Sequence, residues 1–394
     1  MKKKFACLAM AMVMVLSLAA CGGKEETPAA TPAETPAEST STAAFKLGTI
    51  GPLTGDAAIY GQAVANGAKI AVDEINAAGG AIQFEIQSQD DEADGEKSVN
   101  AYNTLMDWGM QVMVGPTTTG ASNAFSAQAN ADRTFMLTPS ASSVDVIDGK
   151  DNVFQVCFTD PNQGIASADY MASNMAGAKV AVIYRNDDAY SQGIRDTFVA
   201  EAAANGLEVV YEGTFTADTA TDFSVQLTGA QSASADTVFL PIYYQPASVI
   251  LNQADAMGYE PTFFGVDGMD GILTMEGFDT SLAEGVMLLT PFSADAEDDR
   301  TQTFVKTYED QFGVTPNQFA ADAYDAVYIF AAALEEAGCT ADMEAADICE
   351  ALLGVITNIS VDGLTGEDMT WDASGAVSKA PMAVIIENGV YVLP

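Results

Sequence analysis

The loops of this chain concentrate hydroxyl groups in two places. Gly115-Pro116-Thr117-Thr118-Thr119-Gly120 stands between an apolar run and a helical segment, and Thr138-Pro139-Ser140-Ala141-Ser142-Ser143 follows the next apolar run. Hydroxyls and free backbone N–H groups at a helix start suit a carboxylate, through hydrogen bonds and the positive end of the helix dipole. The same residue types are ordinary helix N-caps, so one such loop means little and two on adjacent strands mean more. Farther on, Arg185-Asn186-Asp187-Asp188-Ala189-Tyr190, Pro241-Ile242-Tyr243-Tyr244-Gln245-Pro246 and Gly265-Val266-Asp267-Gly268-Met269-Asp270-Gly271 each follow a strand-like run. Aromatic rings and carboxylates at strand ends suit an ammonium ion, by ion pairing and cation–π contact. The plainer account of the last loop is that glycines make the turn and its acids are solvated. That account fits Asp270 better than Asp267.

Strands alternating with helices must position these loops. Phe45-Lys46-Leu47-Gly48-Thr49-Ile50 reads as a strand, and Val64, Ala68, Ala71, Val72 and Ile75 recur at helical spacing before Gly79-Gly80. Ile82, Phe84 and Ile86 alternate with polar residues as a strand. Val112-Met113-Val114, a helix over 121–131 and Thr134-Phe135-Met136-Leu137 continue the pattern. A second block repeats it: strands at 180–184, 207–211 and 237–240, helices at 191–205, 223–231 and 246–257, with Gly206 and Gly258 as stops. Continuous apolar strands between helices predict parallel sheets covered on both faces. After Phe292 come helices at 304–312 and 319–334, then a strand at 382–386 and the hairpin turn Glu387-Asn388-Gly389. The expected architecture is α/β with two Rossmann-like lobes: lobe one from 45–160 and 292–378, lobe two from 161–291 and 379–394. In parallel sheets ligands sit at the carboxyl ends of strands, where these loops lie.

Composition narrows the chemistry. Of 394 residues, 15 are Lys or Arg, 55 are Asp or Glu and none is His, for a formal charge of −40. Such a surface repels nucleic acid and phosphate-rich partners. Lack of His removes the commonest general base and zinc ligand. No metal or cofactor is expected. Lys2, Lys3 and Lys4 precede an uncharged apolar run over 5–20, which is a signal-peptide layout over residues 1–20. Its close, Leu18-Ala19-Ala20-Cys21, resembles the bacterial lipobox, which implies a diacylglyceryl anchor on Cys21. Residues 21–44 hold three imperfect Thr-Pro-Ala units and no large apolar residue, as expected of an extended tether. Cys157 lies in an apolar run and should be a buried thiol. Cys339 and Cys349 could form a disulfide or remain two thiols, since spacing alone does not fix geometry.

Gly51-Pro52-Leu53-Thr54-Gly55 with Tyr60-Gly61-Gln62, followed by Ala71-Val72-Asp73-Glu74-Ile75-Asn76-Ala77-Ala78-Gly79-Gly80, resembles the opening of the branched-chain amino-acid (leucine/isoleucine/valine) binding protein family. The two hydroxyl-rich loops, Tyr190, Tyr243, Gly265-Val266-Asp267-Gly268, Tyr324-Asp325-Ala326 and Leu364-Thr365-Gly366 follow in the family's order, over about residues 45–394. The resemblance implies a type I periplasmic-binding-protein fold, two lobes joined by a three-segment hinge with ligand in the cleft between. It assigns Thr119, Ser140, Ser142 and the Ala141 backbone to a ligand carboxylate, Tyr190 and Tyr243 to covering the ligand, Asp267 to its ammonium, and Tyr60 to the side-chain pocket. Asp267 stands where a family member often has Glu, and the family's frequent early cysteine pair is absent. The implied role is that of a monomeric extracytoplasmic binder, held on the cell membrane by lipid, that hands an amino acid to an ABC permease and its ATPase. Two rival readings are a surface hydrolase built on a carboxylate pair and a ligand sensor for a signalling partner. The first lacks any nucleophile–base motif; the second would need a separate partner to carry its message inward. Catalysis is not expected.

Overall fold

The computed structural model describes residues 43–394. The leader at 1–20, Cys21 and the tether up to residue 42 lie outside them.

The first half of the alternation folds as β1 (Phe45–Gly51), α1 (Ala58–Ala78), β2 (Phe84–Asp90), α2 (Gly95–Trp108), β3 (Val112–Val114), α3 (Thr119–Ala131), β4 (Phe135–Thr138) and β5 (Val153–Gln155). These strands form one five-stranded sheet in the order β2-β1-β3-β4-β5. Every pairing in it is parallel. Val112, Met113 and Val114 are all fully buried, as a strand covered on both faces requires. Gly79 ends α1 in the left-handed conformation at φ 69°, which only a residue without Cβ adopts freely.

Next come α4 (Asp160–Asn174), β6 (Lys179–Arg185), α5 (Ala189–Asn205), β7 (Glu208–Phe215), α6 (Ser224–Ser232), β8 (Thr237–Leu240), α7 (Tyr244–Met257), β9 (Thr262–Gly265) and β10 (Met287–Thr290). The chain ends with α8 (Asp299–Phe312), α9 (Gln318–Glu336), α10 (Ala345–Leu353), β11 (Met382–Glu387) and β12 (Val390–Val392). The second sheet has seven strands, ordered β12-β11-β10-β9-β8-β6-β7. It is parallel through β10, and β11 and β12 add antiparallel to its edge. The predicted turn closes that last hairpin, with Asn388 and Gly389 both at positive φ.

Helices α8, α9 and α10 return to the first sheet: α9 lies along α1 and α10 meets β4. The chain therefore passes between the sheets three times, after β5, after β10 and before β11. Lys379, just before β11, is fixed by a buried ion pair. Its Nζ lies 2.6 Å from Asp322 Oδ1 on α9 and also meets Thr365 Oγ1. Asp325, one turn on, accepts the Leu364 and Thr365 N–H groups at 2.8 and 2.9 Å. Cys157, Cys339 and Cys349 are all buried free thiols, which answers the question that spacing left open.

Candidate functional site

The loops at the carboxyl ends of the two sheets face one another across a cleft. Their deepest meeting point is a small cavity of about 10 Å³ lined by Tyr60, Thr117, Thr118, Ser140, Tyr190, Tyr243, Asp267, Gly268 and Phe319. The cleft widens outward into a cavity of about 520 Å³ that shares Thr118 and Tyr243 with the inner one.

Asp267 dominates the inner cavity. It begins the short turn after β9 and is 2% exposed. Burial pushes its carboxyl up to about 6, against the bond from Tyr190 that pulls the other way. Tyr190 Oη donates to Asp267 Oδ1 at 2.6 Å and accepts from Gly268 N at 3.0 Å. The Asp267 N–H donates to Gln163 Oε1 at 3.1 Å. Among the described residues, no Lys or Arg forms an ion pair with Asp267. Gly268 has no room for a Cβ, which would strike the Tyr190 hydroxyl and the Tyr243 ring. A glycine here lets both rings close over the carboxylate.

Aromatic rings make the rest of the wall. Tyr60 meets Phe319 at 4.5 Å, Tyr244 at 4.9 Å and Tyr243 at 5.3 Å between centroids, and Tyr190 meets Tyr243 at 4.9 Å. Tyr60, on α1 beside the first sheet, reaches across to the second. Its hydroxyl donates to Gly268 O and accepts from Tyr244 N, the latter at 3.1 Å. These bonds clamp the cleft shut from one side.

The hydroxyl loops sit opposite. Thr118 is the N-cap residue of α3, yet its side chain makes no capping bond. Its Oγ1 is buried and has no partner among the described residues, and Thr118 lines both cavities. The uncapped first-turn N–H groups of α3 carry the positive end of the helix dipole. The other expected carboxylate ligands differ: Ser142 Oγ is buried without a partner among the described residues, and the rest make bonds within the protein. The Ala141 N–H donates to Thr138 Oγ1 at 2.9 Å, so that backbone group is already engaged. Thr119 Oγ1 accepts from Ser143 N at 3.4 Å, and Ser140 Oγ donates to Thr117 O at 2.6 Å. Ser140 still lines the cavity, whereas Thr119, Ala141 and Ser142 do not. The cavity thus gathers Tyr60, Ser140, Tyr190, Tyr243 and Asp267 from the expected set and adds Thr117, Thr118, Gly268 and Phe319.

Two buried acids, Asp270 and Asp160, and the half-buried Asp188 correct or extend the sequence reading. Asp270 is no solvated turn residue: it is 2% exposed and accepts from Gln318 N at 3.0 Å. Asp160, the first residue of α4, is 1% exposed, and among the described residues neither of its carboxyl oxygens has a hydrogen-bond partner. Burial drives its carboxyl well above the usual range. Ser142 opposes that rise from nearby, without completing a hydrogen bond in this geometry. Asp188 stands where α5 begins, makes no capping bond, and is raised by burial against the opposing charge of Arg185. Arg185 itself is held by Asp187, 2.7 Å away. Among the described residues there is no cluster suited to a metal and no helix long and apolar enough to cross a membrane.

A family model described as periplasmic binding protein matches residues 44–389. The chain belongs to that family. Among the relatives of this periplasmic binding protein is the Leu/Ile/Val-binding protein BraC3 of Rhizobium johnstonii, 30% identical over 306 residues, 76% of this chain and 81% of that one. The branched-chain amino acid transporter substrate-binding protein LivJ of Streptococcus pneumoniae, solved with isoleucine, superposes with TM-score 0.78 at 29% identity, over 89% of this chain and all of LivJ. A solute-binding protein of R. palustris solved with benzoate has the same TM-score, 0.78, at 22% identity, over 89% of this chain and 95% of that one, a likeness of fold alone. The two-sheet α/β architecture is that of the type I periplasmic binding proteins. This periplasmic binding protein is a branched-chain amino-acid type ABC substrate-binding protein.

Proposed function

We propose that the chain captures an amino acid in the cleft between two lobes, 45–160 with 292–378 and 161–291 with 379–394, and delivers it to an ABC permease and its ATPase. The observation that carries the amino-acid reading is Asp267, buried in the cleft with no basic partner among the described residues. A carboxylate in that position needs a cation, and the ligand's ammonium supplies one. Thr118 Oγ1 and the N-terminus of α3 offer donors for the ligand carboxylate across the cavity. Tyr190, Tyr243, Tyr60 and Phe319 would pack its side chain.

The inner cavity of about 10 Å³ has room for roughly one water. An amino acid therefore enters only if the lobes part, breaking the Tyr60 bonds to Gly268 and Tyr244, and is enclosed as they close again. This is hinge closure, with ligand bound better by the closed arrangement. We place the protein outside the cytoplasm as a monomer, tethered by a lipid on Cys21. No reaction is performed on the ligand. Sensing through a separate partner would use the same cleft.

Aromatic acids such as benzoate are a second class that type I relatives accommodate. An acid without an ammonium would leave Asp267 uncompensated beside a second negative charge, so the amino acid is preferred here. A thermal-shift screen of the standard amino acids against simple carboxylates tests this. Stabilisation by amino acids but not by their deaminated analogues is expected. Stabilisation by benzoate and none by any amino acid would overturn the assignment.

A further inference from the structure

The turn after β9 belongs to the second sheet, yet it is held by helices that pack on the first. Gly268 O accepts from Tyr60 Oη on α1. A Cβ at Gly271, where φ is 103°, would lie 2.8 Å from Ile59 Cγ2 on the same helix. Asp270 Oδ2 accepts from Gln318 N at 3.0 Å and from Gln318 Nε2 at 3.2 Å. The same Nε2 reaches Asp267 O at 3.3 Å. Asp270 and Gln318 are both buried.

Gln318 is the first residue of α9. The opening N–H groups of a helix have no partner within it and carry the positive end of its dipole. The N-cap residue, Asn317, gives its side chain to Ala320 N at 3.2 Å and leaves Gln318 N to another acceptor. A carboxylate from the other sheet supplies it. Parting the lobes would separate that pair, and both groups would have to be taken up by water.

Neither Asp270 nor Gln318 lines the inner or the outer cavity of the cleft. They reach the ligand pocket only through the turn they hold, and that turn begins with Asp267. A ligand that meets the open protein does so before these bonds exist. Once the cleft has closed, they must break before it can reopen.

We propose that Asp270 and Gln318 are the latch of the closed cleft, positioning residues that hold the 267–271 turn, and Asp267 with it, against α1 and α9 and so set how long an amino acid stays bound. This rests on the hinge closure proposed above.

The test is stopped-flow binding of L-isoleucine to the full chain, with small-angle scattering of the ligand-free protein. Asp270→Ala should release isoleucine about tenfold faster with its association rate unchanged, because the lost bonds are to a charged group and form after encounter. Its ligand-free scattering should show a more open average than wild type. Gln318→Leu keeps the helix N–H and loses only the side-chain donor, so it should change both readings in the same direction and by less. Asp270→Asn keeps an acceptor oxygen without the charge and should fall between Asp270→Ala and wild type. A role in folding alone would lower the urea midpoint and leave no such order among the dissociation rates. Dissociation from folded Asp270→Ala as slow as from wild type overturns the proposal, as does a loss of affinity carried by slower association. Failure of the wild type to bind isoleucine would count against a branched-chain ligand instead, and scattering would then decide the latch: equal ligand-free profiles for wild type and Asp270→Ala overturn it.

Discussion

Replacing Asp267 with Asn should move stability and function in opposite directions. The folded carboxyl is pushed from 3.8 to about 6 by burial. A folded state that binds the proton more tightly than the unfolded chain loses stability as pH rises between those two values. The loss is complete above about pH 6 and absent below about pH 4. At 1.36 kcal/mol per pKa unit, roughly two units amount to about 3 kcal/mol of destabilisation at neutral pH, an upper value for a group that retains its bond from Tyr190. Asn keeps an oxygen for Tyr190 and carries no charge. The ligand-free Asp267→Asn protein should therefore be more stable than wild type at pH 8, by up to about 3 kcal/mol, and the gap should close as pH falls through 6 towards 4. Ligand binding should weaken by about 2–5 kcal/mol, the usual consequence of removing one member of a buried charge pair. Urea denaturation at pH 8 and pH 4, paired with calorimetric titration of the best amino acid, reads both effects. A variant that is less stable than wild type at pH 8, or that binds amino acid as tightly, would refute the reasoning.

Thr118→Ala should cost about 1–2 kcal/mol of amino-acid affinity with little change in stability, because its Oγ1 has no partner among the described residues; calorimetry should show a smaller effect for Thr119→Ala, whose Oγ1 is engaged by Ser143 N. Tyr60→Phe keeps the ring but loses the bonds to Gly268 O and Tyr244 N, so small-angle scattering without ligand should show a more open average than wild type, and equal profiles would count against the clamp. Lys379→Met strands the buried Asp322 and should cost about 3–5 kcal/mol in chemical denaturation, with much of the loss recovered when Asp322→Leu is added. Cys21→Ser should leave the protein released or as uncleaved precursor on fractionation; mature-sized protein still on the membrane would argue against the lipid.

The sequence disclosed the layers and the loops because their signals are local. Val112-Met113-Val114 and residues 180–184 read as buried parallel strands, and the first and second sheets contain them. Site detail was less legible. Nothing in Thr117-Thr118-Thr119 says which hydroxyl faces the cleft; that depends on where α3 begins, and it begins at Thr119. Asp270 looked like a solvated turn acid because its cover, Gln318, lies 48 residues away. Asp160 had a weak signal, an acid opening a helix after an apolar run, but its burial depends on tertiary packing; Gly193 on α5, for one, lies against its side chain. The Tyr60 clamp joins residues 208 positions apart, a distance over which no periodicity speaks.

The pairing of α1 with α9 bears on how the chain comes to be folded at all. Tyr324 Oη donates to Glu74 Oε2 at 2.7 Å across 250 residues of sequence. At synthesis rates of about 5–20 residues per second, α1 exists for roughly 12–50 s before the helix that covers it has been made. Through that interval the face bearing Tyr60, Gly67 and Glu74, which meets Phe319, Ala320 and Tyr324, cannot find its native partner. The five strands of the first sheet are all made early, but the helical cover of α1 waits until the strands β6 to β10 have been made, and contacts of such long range slow folding. A nascent chain built this way commits to its final shape only after its C-terminal helices arrive.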